Sequence, residues 1–105
     1  MDKIASLKEI LAQDPANAFA RYGLAMEYVG RGKTDAAMAE FDRLLKDHPE
    51  YTAGYFMAAQ TLARAGREAD AKQRLVDGVA CARKAGNGHA VSEMQAMLDE
   101  MESDR

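Results

Sequence analysis

The sequence predicts an all-α fold, a stack of about six antiparallel helices built from a repeated pair. Three observations predict it. The chain repeats itself every 34 residues: Asp14-Pro15 returns as His48-Pro49, Leu24-Ala25-x-x-Tyr28 as Ala58-Ala59-x-x-Leu62, and Phe41 as Leu75. A fixed period of this length is the mark of a repeat array, in which each unit buries its apolar face on its neighbour. Apolar residues recur at three and four along each segment, the period of a helix. Glycine and proline fall at the seams, with Gly32-Lys33-Thr34-Asp35-Ala36-Ala37 returning as Gly66-Arg67-Glu68-Ala69-Asp70-Ala71.

Each helix has its own signals. The first spans about residues 2–13, where Ile4, Leu7, Ile10 and Leu11 share one face. Asp14-Pro15 ends it, because the residue before proline is pushed out of helical geometry. Asn17 is placed to cap the second helix, about 17–30. Gly30-Arg31-Gly32 stops that helix, and Thr34 is expected to cap the third, about 34–47. His48-Pro49 closes the third, and the fourth runs about 50–64 to Gly66. The fifth covers about 68–85, with Arg83 and Lys84 complementing its C-terminal dipole and Gly86 its exit. Asn87-Gly88 opens the sixth, about 88–102. That helix carries Val91, Met94, Leu98 and Met101 on one side and Glu93, Asp99, Glu100 and Glu102 on the others, as a terminal cap requires.

These residues resemble the tetratricopeptide repeat family. The first repeat, about 18–51, meets the family pattern at Leu24, Ala25, Tyr28, Gly32, Ala37, Phe41 and Pro49. The second, about 52–85, meets it at Ala59, Gly66 and Ala71, with Leu62, Leu75 and Gly78 as looser equivalents. The early tryptophan of the family is Arg21 in one repeat and Tyr55 in the other. The proline that should close the second repeat is Arg83, so the fifth helix is expected to run about one turn longer. The resemblance implies a right-handed α-α superhelix forming a single domain over residues 1–105. Helix 2–13 then serves as an N-terminal half-repeat and helix 88–102 as the C-terminal cap. Packing supports the assignment: Ala25, Ala37, Ala59 and Ala71 are small where paired helices approach, and Tyr28, Phe41, Leu62 and Leu75 fill the space between them.

Bulk properties exclude several function classes. A formal net charge of −3 and a pI near 5.3 argue against nucleic acid as a partner. The N-terminus lacks the apolar run of a signal peptide, and no stretch approaches the length of a membrane span. One cysteine cannot form an internal disulfide. A cytoplasmic location, away from membranes, is the expectation.

Motifs that could carry chemistry fall short. Gly32-Lys33-Thr34 would read as a phosphate loop, but Glu27 stands where the motif needs glycine and a helix precedes it. His48 and His89 have no Cys or His three or four residues away, so no metal site is expected. Cys81 sits among Val79, Ala80 and Ala82 as a small apolar residue would; Arg83 and Lys84 are the neighbours that could activate it. From Arg64 to Lys84 the charge is +6 and −3, and the tail from Glu93 is net acidic. The bland reading is a solvated face with a complementary tail, and the sharper one a patch for an acidic partner. No convergent polar constellation suggests an enzyme, a cofactor or a small-molecule substrate.

The second helix is unusual. Leu24, Ala25 and Tyr28 already supply its core face, yet Phe19, Tyr22, Met26 and Val29 form another. By resemblance to the family, this face lines a concave groove, with Ala53, Phe56, Met57, Gln60, Ala63 and Arg64 as the groove positions of the fourth helix. Exposed apolar patches rich in aromatics and methionine mark interaction sites. The opposing possibility is that the first or sixth helix covers them. Tyr22, Met26 and Met57 stand where some family members hold a carboxylate with lysine and asparagine, so no carboxylate clamp is expected. The sequence therefore predicts a non-catalytic protein-interaction module whose groove takes an apolar peptide or helix. The alternative is a homo-oligomer in which the same face mediates self-association.

Overall fold

A computed structural model describes residues 2–103, and among them the secondary structure is helical, with no strand. The helices are α1 (Lys3–Gln13), α2 (Ala18–Gly30), α3 (Thr34–Asp47), α4 (Thr52–Arg64), α5 (Glu68–Lys84) and α6 (Gly88–Ser103). The expected boundaries hold to within two residues. With 17 residues against 14 in α3, α5 has the extra turn expected where proline is replaced by Arg83.

Capping follows two schemes. Asp2, Asn17 and Asn87 each accept a first-turn amide, from Ile4 at 2.9 Å, Ala20 at 2.9 Å and Ala90 at 3.1 Å. Thr34 does not cap α3, contrary to expectation. The N-cap is Lys33, without a side-chain cap bond, and Thr34 is the first helical residue. The reason lies in the preceding turn. Gly32 takes φ 72°, which leaves Lys33 extended enough to start the helix through its own carbonyl. Gly66 and Arg67 repeat this geometry ahead of α5. In both turns a six-residue backbone loop closes: Lys33 N–H donates to Tyr28 at 3.0 Å, and Arg67 N–H to Leu62 at 2.9 Å.

The chain divides into two compact units, one ending at His48 and the other beginning at Pro49. In the first unit α2 packs on both α1 and α3. Leu11, Ala20 and Leu24 form a buried cluster covered by Ile4, Leu7 and Tyr28. Ile10 does not join it and is 46% exposed. At about 100° per residue, Ile10 lies roughly 90° from the centre of the Ile4–Leu7–Leu11 face. Ala25, Ala37 and Phe41 are fully buried in this unit. The Tyr22 ring meets Phe41 edge-on, centroids 6.4 Å apart.

Arg21 is 7% exposed, an unusual state for arginine. Its guanidinium donates to the Glu40 carboxylate at 2.8 Å and to the Pro15 carbonyl at 2.9 Å. Thirty-four residues later the Tyr55 hydroxyl donates to the Pro49 carbonyl at 2.7 Å. Two unlike side chains thus tie the same repeat position to the same proline turn. Burial, then nearby Cys81 and Asp77, push the Tyr55 phenol above its ordinary pKa. His48 adds a further tie, its Nε2 lying 2.7 Å from the Ala16 carbonyl oxygen.

In the second unit α5 packs between α4 and α6. The core is Ala59, Leu75, Val79, Ala82 and Met94, with Val91, Met97, Leu98 and Met101 of α6 packed against it. Helix α6 thus lays its apolar side on this core. Gly78 lets the three helices close: a Cβ there would stand 2.5 Å from Met94 Sδ and 2.7 Å from Tyr55 Cβ. Methionine can swing aside, but Tyr55 Cβ is fixed to the α4 backbone. We therefore expect Gly78→Ala to destabilise by about 2 kcal/mol, overpacking outweighing the roughly 1 kcal/mol gained in helix propensity. At Gly23 a Cβ would meet Leu7 Cδ2 at an ordinary 3.5 Å. Gly23→Ala is expected to stabilise by up to about 1 kcal/mol. Urea melts of the two variants should move in opposite directions; equal shifts would refute the packing argument.

Candidate protein-interaction site

The residues expected to form an interaction face fall in two sets. Phe19, Tyr22, Met26 and Val29 lie along α2 in the first unit; Phe56, Met57, Gln60 and Arg64 lie along α4 in the second. Phe19 is 84% exposed, and Tyr22, Met26 and Val29 are half-buried. In the second set Arg64 is exposed and the other three are half-buried. Phe56 is not a free surface residue: its side chain packs against the core cluster that holds Ala59 and Met94. Introducing a charge there would disturb the fold, so Ala53, which is exposed, is the better position for probing the site.

Beside Phe56 the second unit has a cleft of about 200 Å³ between α4 and α6. Thr52, Ala53 and Phe56 form one side, and His89, Ala90, Glu93 and Met94 the other, with Asn87 at the end. Its floor is apolar because Ala53 and Ala90 are too small to fill the space between the helices. The rim holds the Glu93 carboxylate, 3.1 Å from His89 Nε2 one turn back on α6. The sequence reading missed the α6 contribution to this cleft. A signal was present: His89, Glu93 and Glu100 fall at four and seven, one face of a helix.

A second cleft, about 260 Å³, is lined by Pro49, Glu50, Cys81, Lys84 and Ala85. The Cys81 thiol there lies 3.4 Å from the Thr52 hydroxyl. Gly32-Lys33-Thr34 is the α2–α3 turn and has no strand before it. Among the described residues, no three His, Cys, Asp or Glu side chains gather where they could hold a metal ion. No helix among them is long and apolar enough to cross a membrane.

Comparison with known proteins fits this geometry. A family model described as the tetratricopeptide repeat matches residues 4–55 and 28–98. The chain belongs to the tetratricopeptide repeat family. A tetratricopeptide-repeat-containing protein of Pseudomonas aeruginosa is 30% identical over 102 residues, 97% of each chain. A solution structure of a Bordetella parapertussis protein superposes with TM-score 0.84 at 27% identity, covering 99% of this chain and 90% of that one. The crystal structure of a tetratricopeptide repeat domain protein from Salinibacter ruber gives 0.75 at 29% identity, covering 83% and 97%. The tetratricopeptide repeat is an all-α helical-repeat fold, and its family is generally one of non-catalytic protein–protein interaction scaffolds.

Proposed function

We propose that this tetratricopeptide repeat protein binds an apolar segment of a protein partner, with the α4–α6 cleft of the second unit as an anchor pocket. The observation that carries the reading is the open, apolar-floored cleft bounded by Ala53, Phe56, Ala90 and Met94. Concave apolar sites with a few polar rim groups are where ligands seat a side chain. The apolar face of α2, with Phe19 at its start, supplies a second surface of the same chemistry in the first unit. Peptides of this kind bind as amphipathic helices or extended strands with aliphatic anchors.

Selection of a random peptide library on the purified chain tests the reading. Enriched peptides are expected to carry aliphatic or aromatic anchors. They are expected to bind Ala53→Gln about tenfold more weakly, because the longer side chain occupies the space a buried aliphatic group would fill. Glutamine is a good helix former, so the variant keeps its fold. Enrichment without an apolar consensus, or equal binding to both proteins, would remove the cleft from the reading. The exposure of Phe19 favours self-association as a second reading. A molar mass that rises with concentration, and no longer does so in Phe19→Ser, would establish it in place of peptide capture.

A further inference from the structure

We infer that the partner segment of the α4–α6 cleft is basic: an amphipathic peptide that seats one aliphatic side chain between Ala53 and Ala90 and lays lysine or arginine along α6. This rests on the peptide-binding reading and adds the partner's charge. The argument is complementarity. From Gly88 to Ser103 the sequence has four carboxylates, Glu93, Asp99, Glu100 and Glu102, and no lysine or arginine. Glu102 is engaged by Lys72 at 3.8 Å, and Asp99 accepts from Gln95 at 2.9 Å. Glu93, whose neighbour His89 at 3.1 Å is itself exposed, and Glu100 are exposed on the face that begins at His89. Seven residues separate them, about 10.5 Å along the helix, so both can meet one partner segment. Glu93 itself lines the cleft.

Opposite Glu93, the α4 rim does not offset this charge. Between Thr52 and Arg64, α4 has no charged residue except Arg64 itself, twelve positions beyond Thr52 and so about level with Glu100, which leaves Glu93 without a cation across from it on α4. The N-terminal ends of α4 and α6 carry partial positive charge, but that influence is confined to the first turn. Asn87 already accepts a first-turn amide of α6. A cation opposite Glu93 and Glu100 lies past that turn and faces carboxylates. Rim charges of this type govern partner choice and association rate more than raw affinity. An acidic segment would be repelled by the carboxylates that draw a basic one.

Three fluorescein-labelled helical peptides with the same leucine face and lysine, glutamine or glutamate elsewhere provide the test, read by anisotropy at low salt. The leucine–lysine peptide is expected to bind about fivefold tighter than the leucine–glutamine peptide, the size of effect two solvent-exposed ion pairs give, and the advantage should shrink as salt is added. Glu93→Gln/Glu100→Gln should remove most of that advantage. Glu9→Gln/Glu68→Gln, with the same change in net charge, should leave it within about twofold, because neither residue lines the cleft or lies on the His89–Glu93–Glu100 face of α6. Equal binding of the lysine and glutamine peptides, or tightest binding of the glutamate peptide, overturns the inference and leaves the peptide-binding reading standing. So does a control double variant that weakens binding as much as the cleft variant. Failure of all three peptides, or binding insensitive to Ala53→Gln, overturns both.

Discussion

Ending the chain after Gly86 is expected to lower the melting temperature by more than about 20 °C and to unfold the second unit. Met94 is buried in the cluster with Leu75, Val79 and Ala82, and Val91, Met97, Leu98 and Met101 cover it. Burying one such side chain contributes about 1.5–3 kcal/mol, so one full and four partial burials sum to on the order of 5 kcal/mol. That is the lower end of the entire stability of a typical domain. Without α6, Val79 and Ala82 face water, and the core keeps only its α4 side. A thermal melt by circular dichroism decides the matter. A truncated chain melting within about 5 °C of the full one would mean that α6 is a dispensable tail.

Arg21→Ala is expected to cost about 3 kcal/mol, because it strands the Glu40 carboxylate inside the first unit. The Arg21 and Glu40 side chains are 8% and 18% exposed and 2.8 Å apart. The Pro15 carbonyl loses its donor as well. Arg21→Lys should recover little, since an ammonium cannot hold both acceptors in the planar fork that arginine offers. Arg21→Met/Glu40→Leu should recover most of the loss, because removing both charges leaves neither unpaired. Denaturant melts of the three variants test this order. A single variant as stable as the parent, or a double variant no better than the single, would show that the pair is not what holds α2 to α3. Tyr55→Phe offers a scale for comparison, as it removes one neutral hydrogen bond worth about 1 kcal/mol.

The sequence carried the fold well because repetition and helical period are local and redundant. The 34-residue return of Pro15 as Pro49 and Gly32 as Gly66 set the helix ends almost to the residue. What it did not carry depends on what stands opposite a given face. Thr34 looked like a cap, but the backbone of the glycine turn had already shifted that role to Lys33. Arg21 looked like a departure from the family pattern; its partner Glu40 lies on another helix, and neither residue's spacing announces the other. Ile10 shared the period of α1 yet points away from its centre. The interaction face shows the same limit. Periodicity identified the second apolar face of α2, and Phe19 is exposed there. It could not say that Phe56 would be packed beside α6, or that Ala90 and Glu93 would complete a cleft with Ala53.

Within each unit, the substantial packings join helices that are neighbours along the chain: α1 with α2, α2 with α3, α4 with α5, and α5 with α6. Topologies of short sequence separation fold in microseconds to milliseconds, because little loop entropy is lost before the first native contacts form. The Arg21–Glu40 bond spans 19 residues and needs only the Gly32 turn to close before its partners meet. A hairpin of helices can thus assemble as soon as its own residues are available, whatever the state of the chain beyond it. Fast local closure leaves α2 and α3 little time with apolar surface bare, an advantage for a protein whose native surface still displays Phe19.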